Sequence, residues 1–293
     1  MRLKRVSILA SLFTLGNAMC GFAAITMTTK ALQVSDEAHA VFSNDIKWAG
    51  YFILAAMVFD AIDGRVARFA RATSDFGGQL DSLADAISFG LAPAFLVNRV
   101  VVEGLSNYLA PVGLVDLLKA VWVCGAIYLG CALIRLARFN VENVHEEEAH
   151  MSFKGLPSPA AAGALVSLII VLANFWTETA PGCTACVILW ALPPATVLLG
   201  LLMVSNVRYS HMLNQLIRGR RPVGHLVLVV LCLALAFVLR EITLTVGFGG
   251  YAISGPVLAV YRRIRGGSAG RAGDSAGGIG PSSPEPPPPA GEE

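Results

Sequence analysis

Residues 60–85 read D-A-I-D-G-R-V-A-R-F-A-R-A-T-S-D-F-G-G-Q-L-D-S-L-A-D. The stretch joins two apolar blocks, near 47–69 and 79–102. Each is about the length that a helix needs to cross the hydrocarbon core of a bilayer, roughly 20 residues. The connection between them is short, so the two helices must be antiparallel neighbours. On the first, Asp60, Asp63, Gly64, Ala67 and Arg68 fall at i, i+3, i+4, i+7 and i+8, which is one helix face. On the second, Gly77, Asp81, Asp85 and Ser88 fall at i, i+4, i+8 and i+11, again one face. Asp60 is about 10 Å of helix rise from Ala67, and Asp81 and Asp85 begin the next helix at the same level. The spacing therefore predicts four carboxylates converging at one end of a helical hairpin.

Carboxylates on apolar helices are costly and by default functional. Four of them together repel one another, and a hard divalent cation removes that penalty. All-oxygen ligation suits Mg²⁺ or Mn²⁺, and the absence of histidine from the stretch argues against zinc. Two such ions can grip a phosphoryl group. Gly64 and Ala67 leave one face open to the close approach of a flat ligand, and Arg68 can pair with phosphate. A purely structural ion-pair network with Arg65, Arg68 and Arg71 competes with this reading. It requires neither four aspartates in register nor the two small residues between them. A divalent-cation transporter is a second competitor. It would place its carboxylates near mid-membrane, often with inverted repeats. Here they lie at one face, and the chain has no apparent repeat.

The rest of the sequence extends the membrane reading. The 293-residue chain is 55% hydrophobic and 14% charged, whereas soluble domains carry about 25% charged residues. Eight apolar blocks lie near 7–29, 47–69, 79–102, 115–138, 157–177, 184–204, 222–240 and 242–261. Basic residues mark alternate ends: Arg2, Lys4 and Arg5; Arg65, Arg68 and Arg71; Arg135, Arg138 and Lys154; Arg208, Arg218, Arg220 and Arg221; Arg262, Arg263 and Arg265. The positive-inside rule then predicts an all-α polytopic bundle of about eight transmembrane helices with both termini cytoplasmic. The first block is long for a signal peptide, is interrupted by Gly16-Asn17 and has no clean small-x-small cleavage site, so it is expected to remain as a helix. A transmembrane domain is expected over 1–265. A Gly/Ser/Pro-rich cytoplasmic tail over 266–293 has almost nothing to bury and is expected to be disordered. A net charge of +2 with no basic, aromatic-laced patch excludes nucleic acid as a partner. Of the six cysteines, four lie inside apolar blocks and read as small apolar residues, and the C-x-x-C pair Cys183 and Cys186, with no second pair or histidine beside it, is not expected to bind metal or act in redox chemistry.

Asp60, Asp63, Gly64, Ala67, Arg68, Gly77, Asp81 and Asp85 match the CDP-alcohol phosphotransferase signature, D-x2-D-G-x2-A-R-x8-G-x3-D-x3-D, without exception. The chain resembles that superfamily. Residues 11–22, 81–94, 135–141 (R-L-A-R-F-N-V) and 153–162 (F-K-G-L-P-S-P-A-A-A) are similar to its bacterial and archaeal phosphatidylserine synthase branch. The resemblance implies a six-helix core, a homodimer, and a multi-pass protein of the bacterial inner membrane with its active site at the cytoplasmic face. It implies two Mg²⁺ or Mn²⁺ ions on Asp60, Asp63, Asp81 and Asp85. Asp63, Gly64, Ala67, Arg68 and Gly77 would line the nucleotide of CDP-diacylglycerol, and Asp85 would take the proton from the acceptor hydroxyl. The acceptor it implies is L-serine; glycerol 3-phosphate, inositol phosphate and choline are the alternatives, and a phosphorylated acceptor calls for a denser basic pocket.

The polar residues expected to share the acceptor's cavity are Asn17, Ser88, Arg138, Asn140 and Lys154, a cation among them holding the serine carboxylate. Each also has a plainer role open to it. Asn17 can bridge helices, and Arg138 and Lys154 can be positive-inside residues.

Overall fold

The computed structural model describes residues 2–31, 39–70, 75–106, 111–145, 155–175, 183–207 and 243–258, and every regular element among them is helical. The helices are α1 (Arg2–Ala31), α2 (His39–Ala70), α3 (Asp75–Asp85), a π-helical segment (Ala86–Leu91), α4 (Ala92–Ser106), α5 (Pro111–His145), α6 (Ser158–Asn174) and α7 (Cys183–Val204). A further helix, α8, covers 243–258. Two compact units divide the chain, Met1–Gly255 and Pro256–Glu293. The expected block at 222–240, the tail at 266–293 and Lys154 lie outside the described residues, as do the side chains of Ala67 and Arg68.

Among the described residues, four stretches are long and apolar enough to cross a membrane: Ser11–Ala31, Phe76–Leu105, Val115–Val141 and Thr184–Val204. At 17 residues α6 is shorter, about 26 Å. The 32-residue α2 has ample length but carries Asp45, Lys47, Asp60, Asp63 and Arg65. Large apolar side chains face outward from the bundle: Met19 and Phe22 on α1, Trp122 and Ile134 on α5, Val187 and Trp190 on α7. Water would penalise such surfaces, whereas hydrocarbon does not distinguish them from lipid tails. The chain is a polytopic helical membrane protein.

Apolar lipid gives helices no hydrophobic reason to associate, so close packing must hold the bundle together. The shorter α6 supplies the centre, with Leu165, Val166, Ile169 and Ile170 wholly buried. It packs on α2 and α7. Where α2 crosses it, a Cβ on Gly50 would come within 2.9 Å of Ile170. Ser43 of α2 adds a hydrogen bond to the Ala173 carbonyl at 2.5 Å. At that end of α1 and α2, Lys30 pairs with Asp45 at 3.4 Å.

The helical rod from Asp75 to Ser106 is not uniform, and a proline explains why. Pro93 has no N–H to offer the Phe89 carbonyl one turn before it, and its ring crowds that carbonyl. The helix widens there: the Ala92 N–H donates to Ile87 O, five residues back. The buried Tyr128 hydroxyl of α5 donates to the Phe89 carbonyl at 2.9 Å and supplies the missing partner. Substituting Tyr128→Phe should lower stability in detergent by about 1 kcal/mol. In a Pro93→Ala background, where an N–H is restored, the loss should shrink. Equal losses in both backgrounds, measured by thermal unfolding, would show that the two residues are not coupled.

Candidate active site

The C-terminal part of α2 and the start of α3 bring Asp60, Asp63 and Asp81 together, with one carboxylate oxygen from each lying within 4.8 Å of the others. The i, i+3 spacing on α2 and the antiparallel return of α3 produce this geometry. The Thr14 hydroxyl of α1 donates to the Asp63 carboxylate. Asp63 Oδ2 and Asp81 Oδ1 are buried and have no hydrogen-bond partner among the described residues. Buried oxygens of this kind are costly unless something satisfies them. Three convergent carboxylates with such oxygens form an acidic triad that could hold a hard divalent cation. Gly64, beside Asp63, has nothing within 4 Å of where a Cβ would stand, so this face of α2 is open.

Asp85 lies one turn beyond Asp81, and its environment differs. Its Oδ1 accepts a hydrogen bond from Asn17 Nδ2 of α1 at 3.0 Å. Asn17 is wholly buried in an otherwise apolar helix. Its backbone carbonyl accepts from the Ser88 hydroxyl at 2.9 Å. A Cβ on Gly21 would stand 2.5 Å from that hydroxyl, so α1 lies directly on the π-helical segment. Ser88, placed by ideal helix spacing on the face of Asp81 and Asp85, is instead wholly buried against α1. Ser88 and Asp85 thus meet the same residue of α1, Asn17.

Asp60, Asp81 and Asp85 line one side of a cavity of about 410 Å³. Its far wall comes from α5 and from the start of α6. Arg135, Leu136, Phe139 and Asn140 form a stripe at i, i+1, i+4 and i+5. Arg138 lies outside that stripe, roughly 130° round the helix from its centre, and reaches Asn206 at 3.5 Å. Of the residues expected at the acceptor site, Asn140 lines the cavity and accepts from Ser82 at 2.9 Å. Asn17 stands behind Asp85, and Gly78 rather than its neighbour Gly77 borders the cavity.

Sequence spacing did not single out Arg135, Ser158 or Tyr251, which also line the cavity. Arg135 donates from Nη1 to the Ser158 hydroxyl at 2.7 Å. Its Nε is buried without a partner among the described residues, and its guanidinium interacts with both Asp85 and Asp60. A charge inside the apolar block 115–138 was itself a signal, by the rule that marks the aspartates. Ser158 and Tyr251 carried none.

Gly155 sets the position of the α6 end of the wall. Its φ is +88°, a conformation that costs other residues of order 1 kcal/mol or more. Its N–H donates to Val207 O at 2.8 Å, and the Leu156 N–H donates to Leu202 O at 3.0 Å. These bonds moor the start of α6 to the end of α7.

The fold and the cavity together define a membrane-embedded helical protein with an acidic triad beside a polar cavity. Residues 7–202 match the CDP-alcohol phosphatidyltransferase family, and the chain belongs to it. It is 33% identical over 217 residues to the CDP-diacylglycerol–serine O-phosphatidyltransferase of Helicobacter pylori, covering 74% of this chain and 81% of the relative. The enzyme of that name from Mycobacterium tuberculosis is 37% identical over 139 residues, 45% of this chain and 44% of its own length. The Bacillus subtilis one is 32% identical over 157 residues, 54% and 72% of the two chains.

A Cβ at position 155 would lie 2.3 Å from the Met203 carbonyl oxygen, which is backbone and cannot yield. Gly155→Ala should therefore cost about 2–3 kcal/mol or prevent accumulation of the folded protein. Gly130→Ala, at a helical site where nothing lies within 4 Å of an added Cβ, should leave the melting temperature unchanged or raise it. Thermal melting of the two purified variants makes the comparison.

Proposed function

We propose that the protein transfers the phosphatidyl group of CDP-diacylglycerol to L-serine, forming phosphatidylserine and CMP. The observation that carries this reading is the cavity in which Asp85, aimed by Asn17, faces Arg135 beside the acidic triad. The names of the similar enzymes support the donor and acceptor.

Asp60, Asp63 and Asp81, with Asp85 adjoining, are suited to two Mg²⁺ or Mn²⁺ ions. When bound, such ions neutralise charge on the diphosphate and on the departing CMP. Asp63, Gly64, Ala67, Arg68 and Gly77 line the nucleotide in this reading, and the open face at Gly64 allows it to approach closely. Asn17 holds one oxygen of Asp85, and the carboxylate takes the proton of the acceptor hydroxyl. The serine oxygen attacks the lipid-linked phosphorus, a new P–O bond forms, and the bond from that phosphorus to the CMP oxygen breaks. Arg135 holds the serine carboxylate, with Ser158 and Asn140 beside it. Arg135 in this reading takes the part for which the sequence offered Arg138 or Lys154. One guanidinium suits a carboxylate better than the dianion of a phosphorylated acceptor.

The charge pattern supports eight spans over 1–265, with both termini and the site at the cytoplasmic face of a bacterial inner membrane. It also supports a tail over 266–293 outside the bilayer. The family resemblance supports a homodimer.

Purified protein in detergent, given CDP-diacylglycerol and Mn²⁺ or Mg²⁺, should release CMP with serine but not with glycerol 3-phosphate, inositol phosphate or choline. Asp85→Asn should lower kcat at least about 100-fold. Arg135→Gln should act mainly on the KM for serine. Release with a different acceptor overturns the serine assignment, and full activity of Asp85→Asn overturns its role as base. Mn²⁺ binding followed by electron paramagnetic resonance should weaken at least about tenfold in Asp81→Asn. It should be unchanged in Asp116→Asn, whose carboxylate is exposed beside Lys119.

A further inference from the structure

The family match ends at residue 202, yet the cavity wall includes a residue well beyond it. Tyr251 of α8 lines the cavity together with Asp60, Asp85 and Arg135, and its hydroxyl is close enough to the Arg135 guanidinium to interact with it electrostatically. The position of Tyr251 follows from how α8 is seated. Leu244, Phe248 and Tyr251 stand at i, i+4 and i+7, one stripe of the helix. Phe248 lies against Gly163 of α6, where a Cβ would come within 2.6 Å of its ring. Leu244 and Phe248 also border an apolar groove with Leu54, Met57 and Ile62 of α2. Two apolar anchors therefore direct the third member of the stripe into the polar cavity. A half-buried phenol is well suited to such a place, since its ring packs on apolar neighbours while its hydroxyl reaches a polar partner.

We infer that Tyr251 is a specificity-determining residue for the acceptor alcohol, its ring bounding the acceptor end of the cavity and its hydroxyl acting with Arg135 to orient the acceptor. This rests on the phosphatidyl-transfer reading above. Arg135 is the cationic residue in the cavity wall among the described residues. The phenol adds a hydrogen-bonding group and bulk but no charge. Together they favour a small zwitterionic alcohol, whose carboxylate meets Arg135, over a longer or doubly anionic one. The α8 helix would thus confer on this chain a selectivity that residues 7–202 do not supply alone.

The test is a steady-state comparison of Tyr251→Phe, Tyr251→Ala and Gly163→Ala, each in the full-length protein. CMP release is followed with serine, homoserine and glycerol 3-phosphate. Tyr251→Phe should raise the KM for serine about tenfold, with kcat within about twofold and the KM for CDP-diacylglycerol unmoved. Tyr251→Ala should also raise the rate with homoserine relative to serine at least about tenfold, because the bounding ring is gone. Gly163→Ala, which displaces Phe248 and with it the stripe, should raise the serine KM in the same direction. Unchanged acceptor selectivity in both Tyr251 variants overturns the inference. So does a loss that falls equally on both substrates, which a merely structural side chain would produce. If the wild-type protein releases CMP with another acceptor instead, the serine assignment fails by itself. The same KM-against-kcat comparison, made with that acceptor, then decides the role of Tyr251.

Discussion

Asp60, Asp63 and Asp81 carry negative charge into a bundle whose core is mainly apolar, and bringing their oxygens within 4.8 Å of one another works against electrostatic repulsion. Nothing in a bilayer offsets that repulsion as water would. The helices around the triad must therefore be fixed by contacts strong enough to hold it. α6 forms a dry centre, Gly50 lets α2 settle on it, and Thr14 of α1 donates to Asp63. A divalent cation could offset the cost of the cluster, since three carboxylates offer it ligand atoms close together.

Around this triad the protein builds an asymmetric site. One wall is acidic and comes from the α2–α3 hairpin. The opposite wall is basic and neutral-polar and comes from α5, the start of α6 and α8. Asp85 belongs to the first wall but is oriented by α1. Asn17 reaches it only because Gly21 and the π-helical segment allow α1 to approach so closely. The widened turn, in turn, exists because Pro93 withholds a hydrogen bond that Tyr128 replaces from α5. A proline eight residues from Asp85 thus helps to place the helix that aims it.

Much of this could be read from residue spacing alone. The 3.6-residue period placed Asp60 with Asp63, and Asp81 with Asp85, because regular helices leave little freedom in where such side chains point. The antiparallel hairpin followed from a short connection. Residues 135–141 contribute Arg135, Phe139 and Asn140 to the cavity wall, whereas Arg138, the arginine expected beside the acceptor, reaches Asn206. Arg135 and Arg138 are both basic and three residues apart, and only the orientation of α5 against the cavity distinguishes them. Ser88, placed by helical spacing beside Asp85, shares Asn17 with it but is not among the residues that line the cavity. Asn17 stood out as a polar residue in an apolar helix, yet its partner Asp85 is 68 residues away in sequence.

By itself the sequence determined the class of the molecule, its apolar helices and the acidic cluster. Those properties depend on composition, on local periodicity and on the chemistry of carboxylates in a poor solvent for charge. The tertiary structure alone decided which side chains face the aspartates. Arg135, Ser158 and Tyr251 come from three helices that have no local pattern in common. Gly155 matters only because the carbonyl of Met203 lies where its side chain would be. Such pairings are set by how rigid helices cross, a property of the whole packed bundle rather than of any stretch of chain within it.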